Sequence, residues 1–318
     1  MHKRFGLQRT HSTNALKKLG LFLVLFQQAF ANLKNNDPIR MAAATAFFSF
    51  FALPPSIIIV SQVLSVLFND AQPAVSGRLF RQLSELLGAR SANQLQDISK
   101  HLEPQKADGW LTFVSIAILL IASTTLFQVI KNSLNQLWNV KMKDNQSSIL
   151  FVRNRGIALA IIIASGFLFT ASLAVGRLLP TPTEPSPLLY VVVLSIGRYA
   201  TSVVTLTCWF ALLFKYLPDV RVRWVAVWVG SLVTAVLFTM GEGVLTLLLT
   251  DQQMQAVHGR SGAITLVLLM VFYCSLIFYY GAAFTRQFAL WAELAAVPAD
   301  NAIGYEITEV DASDNTVQ

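Results

Sequence analysis

The stretch VLFTMGEGVLTLLL, residues 236–249, holds one acidic residue, Glu242, between two glycines in an otherwise apolar run. A lone ionised carboxylate deep in a bilayer costs about 3 kcal/mol on insertion scales, so something must offset it. Arg198 is the only other charge well inside an apolar segment. Two chemistries suit such a pair. One is a buried ion pair that locks two helices together. The other is a polar cavity with a titratable carboxylate and an anion-attracting guanidinium, which would serve as a substrate or ion path. Arg177, near the end of a further apolar segment, either joins that path or snorkels to headgroups. Pro54 and Pro55 in FALPPSIII remove two amide donors in mid-segment. Broken helices are tolerated in membranes where they line a cavity or are covered by protein, so the two prolines are path candidates, with a packing kink as the alternative.

The remaining reactive residues do not assemble into a site by spacing. Cys208 and Cys274 lie in separate apolar segments, and His2, His11, His101 and His258 are far apart. No HExxH and no GxxxxGK occurs. The expectation is therefore no metal, no cofactor, no enzymatic activity and no ATPase of its own.

The elements that must position these charges follow from composition. Of 318 residues, 54% are hydrophobic and 13% charged, about half the charge fraction of a soluble domain. Mean hydropathy is +0.56. This predicts an all-α polytopic membrane protein, because continuous apolar runs of about twenty residues must be helical in lipid. Six spans are expected, at about 41–68, 110–130, 156–179, 188–214, 224–250 and 262–285. Lys and Arg crowd the amino-terminal arm and the second and fourth loops, which places both termini in the cytoplasm. The net charge of +7 is explained by that topology, without nucleic acid as a partner. Membrane lipids, a second copy of the chain or an envelope protein are the expected partners.

Residues 1–36 read as a cytoplasmic arm with an interfacial helix, its apolar face built from Leu16, Leu19, Phe22, Leu23, Phe26 and Phe30. The rival reading is a signal peptide ending at Ala31. The first loop carries Leu79, Leu83, Leu86 and Leu87 at the spacing of a helix on the outer surface. Residues 37–290 form the transmembrane domain. Residues 291–318 are acidic and expected to be a disordered cytoplasmic tail.

The fourth and fifth spans are joined by the short turn KYLPDVRVR and should be antiparallel neighbours. Arg198 is 216 − 198 = 18 residues from one side of it, and Glu242 is 242 − 224 = 18 from the other. Both charges then lie about 27 Å from the cytoplasmic interface. Ala226, Gly230 and Thr234, with Ser231, Ala235, Thr239 and Gly243 beside them, form small-residue stripes suited to close helix packing. At the end of the second span, Asn132, Asn135, Gln136 and Asn139 read as polar contacts of a helix leaving the membrane, with Trp138 at the interface.

Four motifs, RMAAATAFFSFFALPP, NSLNQLWNV, YLPDVRVRW and GAITLVLLMVFYCSLIFYYGAAFT, occur in this order. Together they resemble the YihY, or BrkB-like, family of bacterial inner-membrane proteins over about residues 30–290. The resemblance falls on Arg40, Asn135, Trp138, Asn139, Tyr216, Pro218, Gly259, Gly262 and Gly281. It departs at Ala283, where the family usually has a Glu, and at His258, where a Tyr is common. It implies six helices with cytoplasmic termini. The family's old ribonuclease label is contradicted by the absence of a His and acid cluster in the cytoplasmic loops. The expected function is a transporter or lipid translocator that uses Arg198 and Glu242, or else a non-transporting envelope scaffold in which they form a structural ion pair.

Overall fold

The computed structural model describes residues 15–52, 125–143, 188–249, 259–294, 296–300 and 302–306, with isolated helical positions 160, 164 and 168. These residues form six helices: α1 (Ala15–Lys34), α2 (Pro38–Ala52), α3 (125–137), α4 (Leu188–Tyr216), α5 (Trp224–Leu249) and α6 (Gly259–Trp291). Four short strands accompany them: β1 (Val140–Met142), β2 (Val220–Arg221), β3 (Val297–Pro298) and β4 (Ala302–Gly304). Among the described residues, two windows are long and apolar enough to cross a membrane, Trp224–Gly241 in α5 and Val267–Trp291 in α6. Apart from helical positions 160, 164 and 168, the expected span at 156–179 lies outside the described residues, as do the outer loop, Pro54, Pro55 and Arg177. The spans expected at 41–68 and 110–130 are described only over 41–52 and 125–130.

Helix α5 packs along both α4 and α6, and α1 packs on α6. The α5–α6 seam is built from a reciprocal pair. A Cβ placed on Gly230 would strike Thr285, and one placed on Gly281 would strike Thr234. Each threonine also hides its own hydroxyl by donating to the carbonyl four residues back, Thr234 to Gly230 and Thr285 to Gly281, both at 2.7 Å. Glycine therefore lets the backbones close, and the threonine opposite fills the notch. Higher on the seam, a Cβ on Gly241 would come within 2.7 Å of Ile277 and 2.9 Å of the Tyr273 ring. The expected stripe of Ala226, Gly230 and Thr234 is this buried surface.

The structure changes the reading of α1. Its packed face is Leu25, Phe26, Ala29 and Leu33, while Phe22, Leu23 and Phe30 face outward. The Phe26 ring packs at a tilt against that of Phe284, with centroids 4.9 Å apart, and the Tyr280 hydroxyl donates to the Phe26 carbonyl at 3.1 Å. The helix is docked on α6 through a face rotated from the one that hydrophobic spacing selects. Apolar residues occur on both sides of it, and spacing alone cannot say which side meets protein.

The tail also differs from expectation. Residues from 291 onward read as disordered, yet β3 pairs antiparallel with β2 and β4 with β1, in register Val220↔Pro298 and Val140↔Gly304. Acidic composition suggested a solvated end. The loops, however, offer free strand edges and basic partners: Arg221 pairs with Asp300, and Lys143 donates to the Asp300 carbonyl at 3.1 Å. Residues 307–318 lie outside the described ones.

Candidate functional site: a buried polar hub beneath the basic loop

The described polar residues converge where α3 ends and the α4–α5 turn begins. Lys131 on α3 places its ammonium 3.0 Å from an Asp219 carboxylate oxygen, with only 8% and 9% of the two side chains exposed. The Asn135 amide, one helical turn on, donates to the other oxygen at 2.8 Å and accepts the Asp219 backbone N–H at 2.8 Å. Asn135 is thus a two-way clamp on the turn. Burial of both charges is costly, and the desolvation is offset only because the pair is close and the carboxylate is further hydrogen-bonded.

A second group lies beside it. Arg286, on the last turns of α6, donates to Asn32 of α1 at 3.0 Å and to the Leu137 carbonyl at 2.9 Å. The Asn139 amide, oriented by the network it completes, accepts from Arg286 at 3.1 Å and donates to the Gln136 carbonyl at 3.2 Å. Asn139 has φ of 52° and ends α3 in the left-handed region, which asparagine tolerates better than most residues. Its carbonyl then accepts the Tyr305 N–H at 3.0 Å, which anchors the chain just after β4. One guanidinium therefore gathers the ends of α1, α3 and α6.

A third group ties α2 in. The buried Tyr279 hydroxyl lies 2.6 Å from Thr45, which donates to the Met41 carbonyl at 2.8 Å. The Ser133 side chain also hydrogen-bonds Tyr279. Below these groups sits the apolar core of Leu134, Leu137, Trp138, Phe210, Phe214 and Phe284. Next to Arg286 a cleft of about 530 Å³ opens, lined by Trp138, Leu290, Tyr305 and Glu306 among others.

Most of the motif residues meet here. Asn135 and Asn139 hold the hub, and Pro218 is buried beside Asp219. Arg40 lies 3.6 Å from Asp37 and donates to Gln136 at 3.4 Å. Tyr216 is exposed, with its ring 6.3 Å from that of Trp224. Gly281 is in the α5–α6 seam and Gly259 opens α6, with Gly262 one turn on. Trp138 is 6% exposed and packs inside the core, so its ring meets protein, a contact that the sequence reading did not include. Arg198 and Glu242 fall on α4 and α5, which pack side by side, but their side chains lie outside the described ones. Among the described residues, no group of three His, Cys, Asp or Glu could hold a metal ion.

Sequence reasoning missed Lys131, Asp219, Arg286 and Tyr279. Lys131 passed as one more loop cation. Asp219 carried a signal, as the one acid in a turn otherwise rich in Lys and Arg.

Long apolar helices stitched by buried polar contacts define the class, a helical integral membrane protein. Within it the chain belongs to the family described as virulence factor BrkB, whose model matches residues 29–300. The motif resemblance is thereby borne out. The chain is similar to the UPF0761 membrane protein of Teredinibacter turnerae, 22% identical over 274 residues, covering 85% of this chain and 61% of the relative. It is similar to that of Chromohalobacter salexigens, 21% identical over 279 residues, covering 86% and 64%. A third relative, from Mannheimia succiniciproducens, is 22% identical over 268 residues, covering 82% and 88%. The chain thus spans less than two thirds of the length of the first two. No solved structure matches it significantly.

Proposed function

We propose that this is a six-span bacterial inner-membrane protein with cytoplasmic termini. It moves a lipid or other envelope component past Arg198 and Glu242 without an ATPase of its own. One observation carries the reading. A Cβ built on Gly197, beside Arg198, or on Gly243, beside Glu242, meets no atom within 4 Å. By contrast, Gly230, Gly241 and Gly281 have no room for one. Gly241, on the other side of Glu242, is packed against Ile277 and Tyr273 of α6, so Glu242 stands between a closed and an open position and Arg198 has space on one side, which supports a polar path.

The test is lipid scrambling in vesicles that carry headgroup-labelled phospholipids and the purified full chain. Glu242→Gln and Arg198→Ala are expected to lower the rate at least about tenfold, the effect of losing an interaction of roughly 1.4 kcal/mol, with normal folded yield. Wild-type rates in both variants would sink the path.

The envelope scaffold is the second reading, favoured by the use of Asn135, Asn139 and Gly281 in packing. Loss of folded yield in each single variant, restored by exchanging the two charges, would select it.

A further inference from the structure

We infer that the end of α4 and the start of α5 form a binding site for one anionic phospholipid, its phosphate at Lys215 and Arg223 and its acyl chains along the outer stripe of α5. The inference depends on membrane placement, which the family establishes, and not on transport.

A surface pocket of about 410 Å³ lies here, lined by Lys215, Arg221, Val222, Arg223, Trp224 and Val225. Three of the six lining residues are cations and none is acidic. Lys215 is held in place: its ammonium donates to the Val222 carbonyl at 2.6 Å and sits 5.2 Å from the centre of the Trp224 ring. That leaves two of its three N–H groups for a ligand. Arg221 is engaged by Asp300 of the tail. Arg223 is exposed, and its guanidinium has no partner among the described residues. Tyr216, Trp224 and Trp228 flank the pocket with aromatic rings, the residue type that collects at the headgroup level.

The pocket continues into an apolar track. Val225, Trp228, Leu232, Val236 and Met240 follow one another at spacings of three or four and are 43–66% exposed. They span about 22 Å along α5, more than the roughly 15 Å half-thickness of a bilayer's hydrocarbon core. Cations above and a continuous apolar stripe below match the two halves of one lipid. Free phosphate would need only the pocket. A second copy of the chain would need only the stripe. Basic pockets beside membrane helices favour anionic headgroups over neutral ones because the phosphate charge is not offset by an amine.

The experiment is native mass spectrometry of the full chain in detergent, titrated with phosphatidylglycerol or phosphatidylethanolamine of identical acyl chains. Wild type is expected to retain phosphatidylglycerol preferentially. Arg223→Gln should weaken that retention several-fold and Lys215→Gln with Arg223→Gln by about tenfold or more. Arg223→Gln alone keeps the test valid if the Lys215 change disturbs the turn. Millimolar inorganic phosphate should not displace the lipid. Equal retention of the two lipids, unchanged preference in the Arg223 variant, displacement by phosphate, or a dimer that carries no lipid would each overturn the site. Glu242→Gln should keep the preference, so failure here and failure of the transport path are separately visible.

Discussion

The two ends of the α4–α5 hairpin are built on opposite principles. At the turn, Lys131 and Asp219 are buried against each other, Asn135 closes the turn from both sides, and Arg286 draws three helix ends together. Polar groups there find partners 84 to 254 positions away in the chain. Toward the other end, Gly197 beside Arg198 and Gly243 beside Glu242 have open space, while Gly241, on the other side of Glu242, packs against Ile277 and Tyr273. Without water to satisfy buried polar groups, rigidity comes from partnering them within the protein.

The comparison breaks first, and most severely, at Asp219. Asp219→Ala leaves the Lys131 ammonium buried without its counter-ion, and the expected loss is about 3–5 kcal/mol. It should appear as a collapse of folded yield and a sharply lower melting midpoint in detergent. Lys131→Met together with Asp219→Asn should lose less than Asp219→Ala, because no uncompensated charge remains. A melt of Asp219→Ala like that of wild type would mean the pair is not buried in the working protein.

The next effect separates the two kinds of glycine. Gly281→Ala drives a methyl into Thr234 and should cost about 1–3 kcal/mol. Gly243→Ala meets open space and should change the melting midpoint little, or raise it, because alanine favours the helix. Equal losses at both positions would erase the distinction between a tight and an open end.

The smallest effect is at the surface. Arg221 and Asp300 pair with 66% and 84% of their side chains exposed. Asp300→Asn should therefore cost under about 1 kcal/mol, and less still in high salt. A melting series at low and high salt checks this. A large, salt-insensitive loss would show that the tail strands are held by more than this contact.

Much of the architecture was legible in the residues. Apolar runs of span length marked α4, α5 and α6. The small-residue stripe at Ala226, Gly230 and Thr234 marked the buried face of α5, because close packing needs small side chains whatever the partner. The four motifs marked the family. The hub was legible only in part: Asn135 and Asn139 stood out, and Asp219 was the one acid in a basic turn, but nothing local distinguishes Lys131 from the other loop cations or says which groups would meet. Trp138 and α1 were legible only in part for a related reason. An aromatic at a span end and a helix with apolar residues on both sides each have two stable surroundings, lipid interface or protein.

What the sequence determined by itself is that segments such as α5 and α6 are apolar enough along their length to leave water, because hydrophobic transfer adds up residue by residue along the chain. Tertiary structure alone decided which polar groups meet. Asn135 closes on Asp219 across 84 positions, and Arg286 reaches Asn32 across 254. Such partnerships depend on where helix ends arrive in space, and a hydrogen bond holds only over about 3 Å.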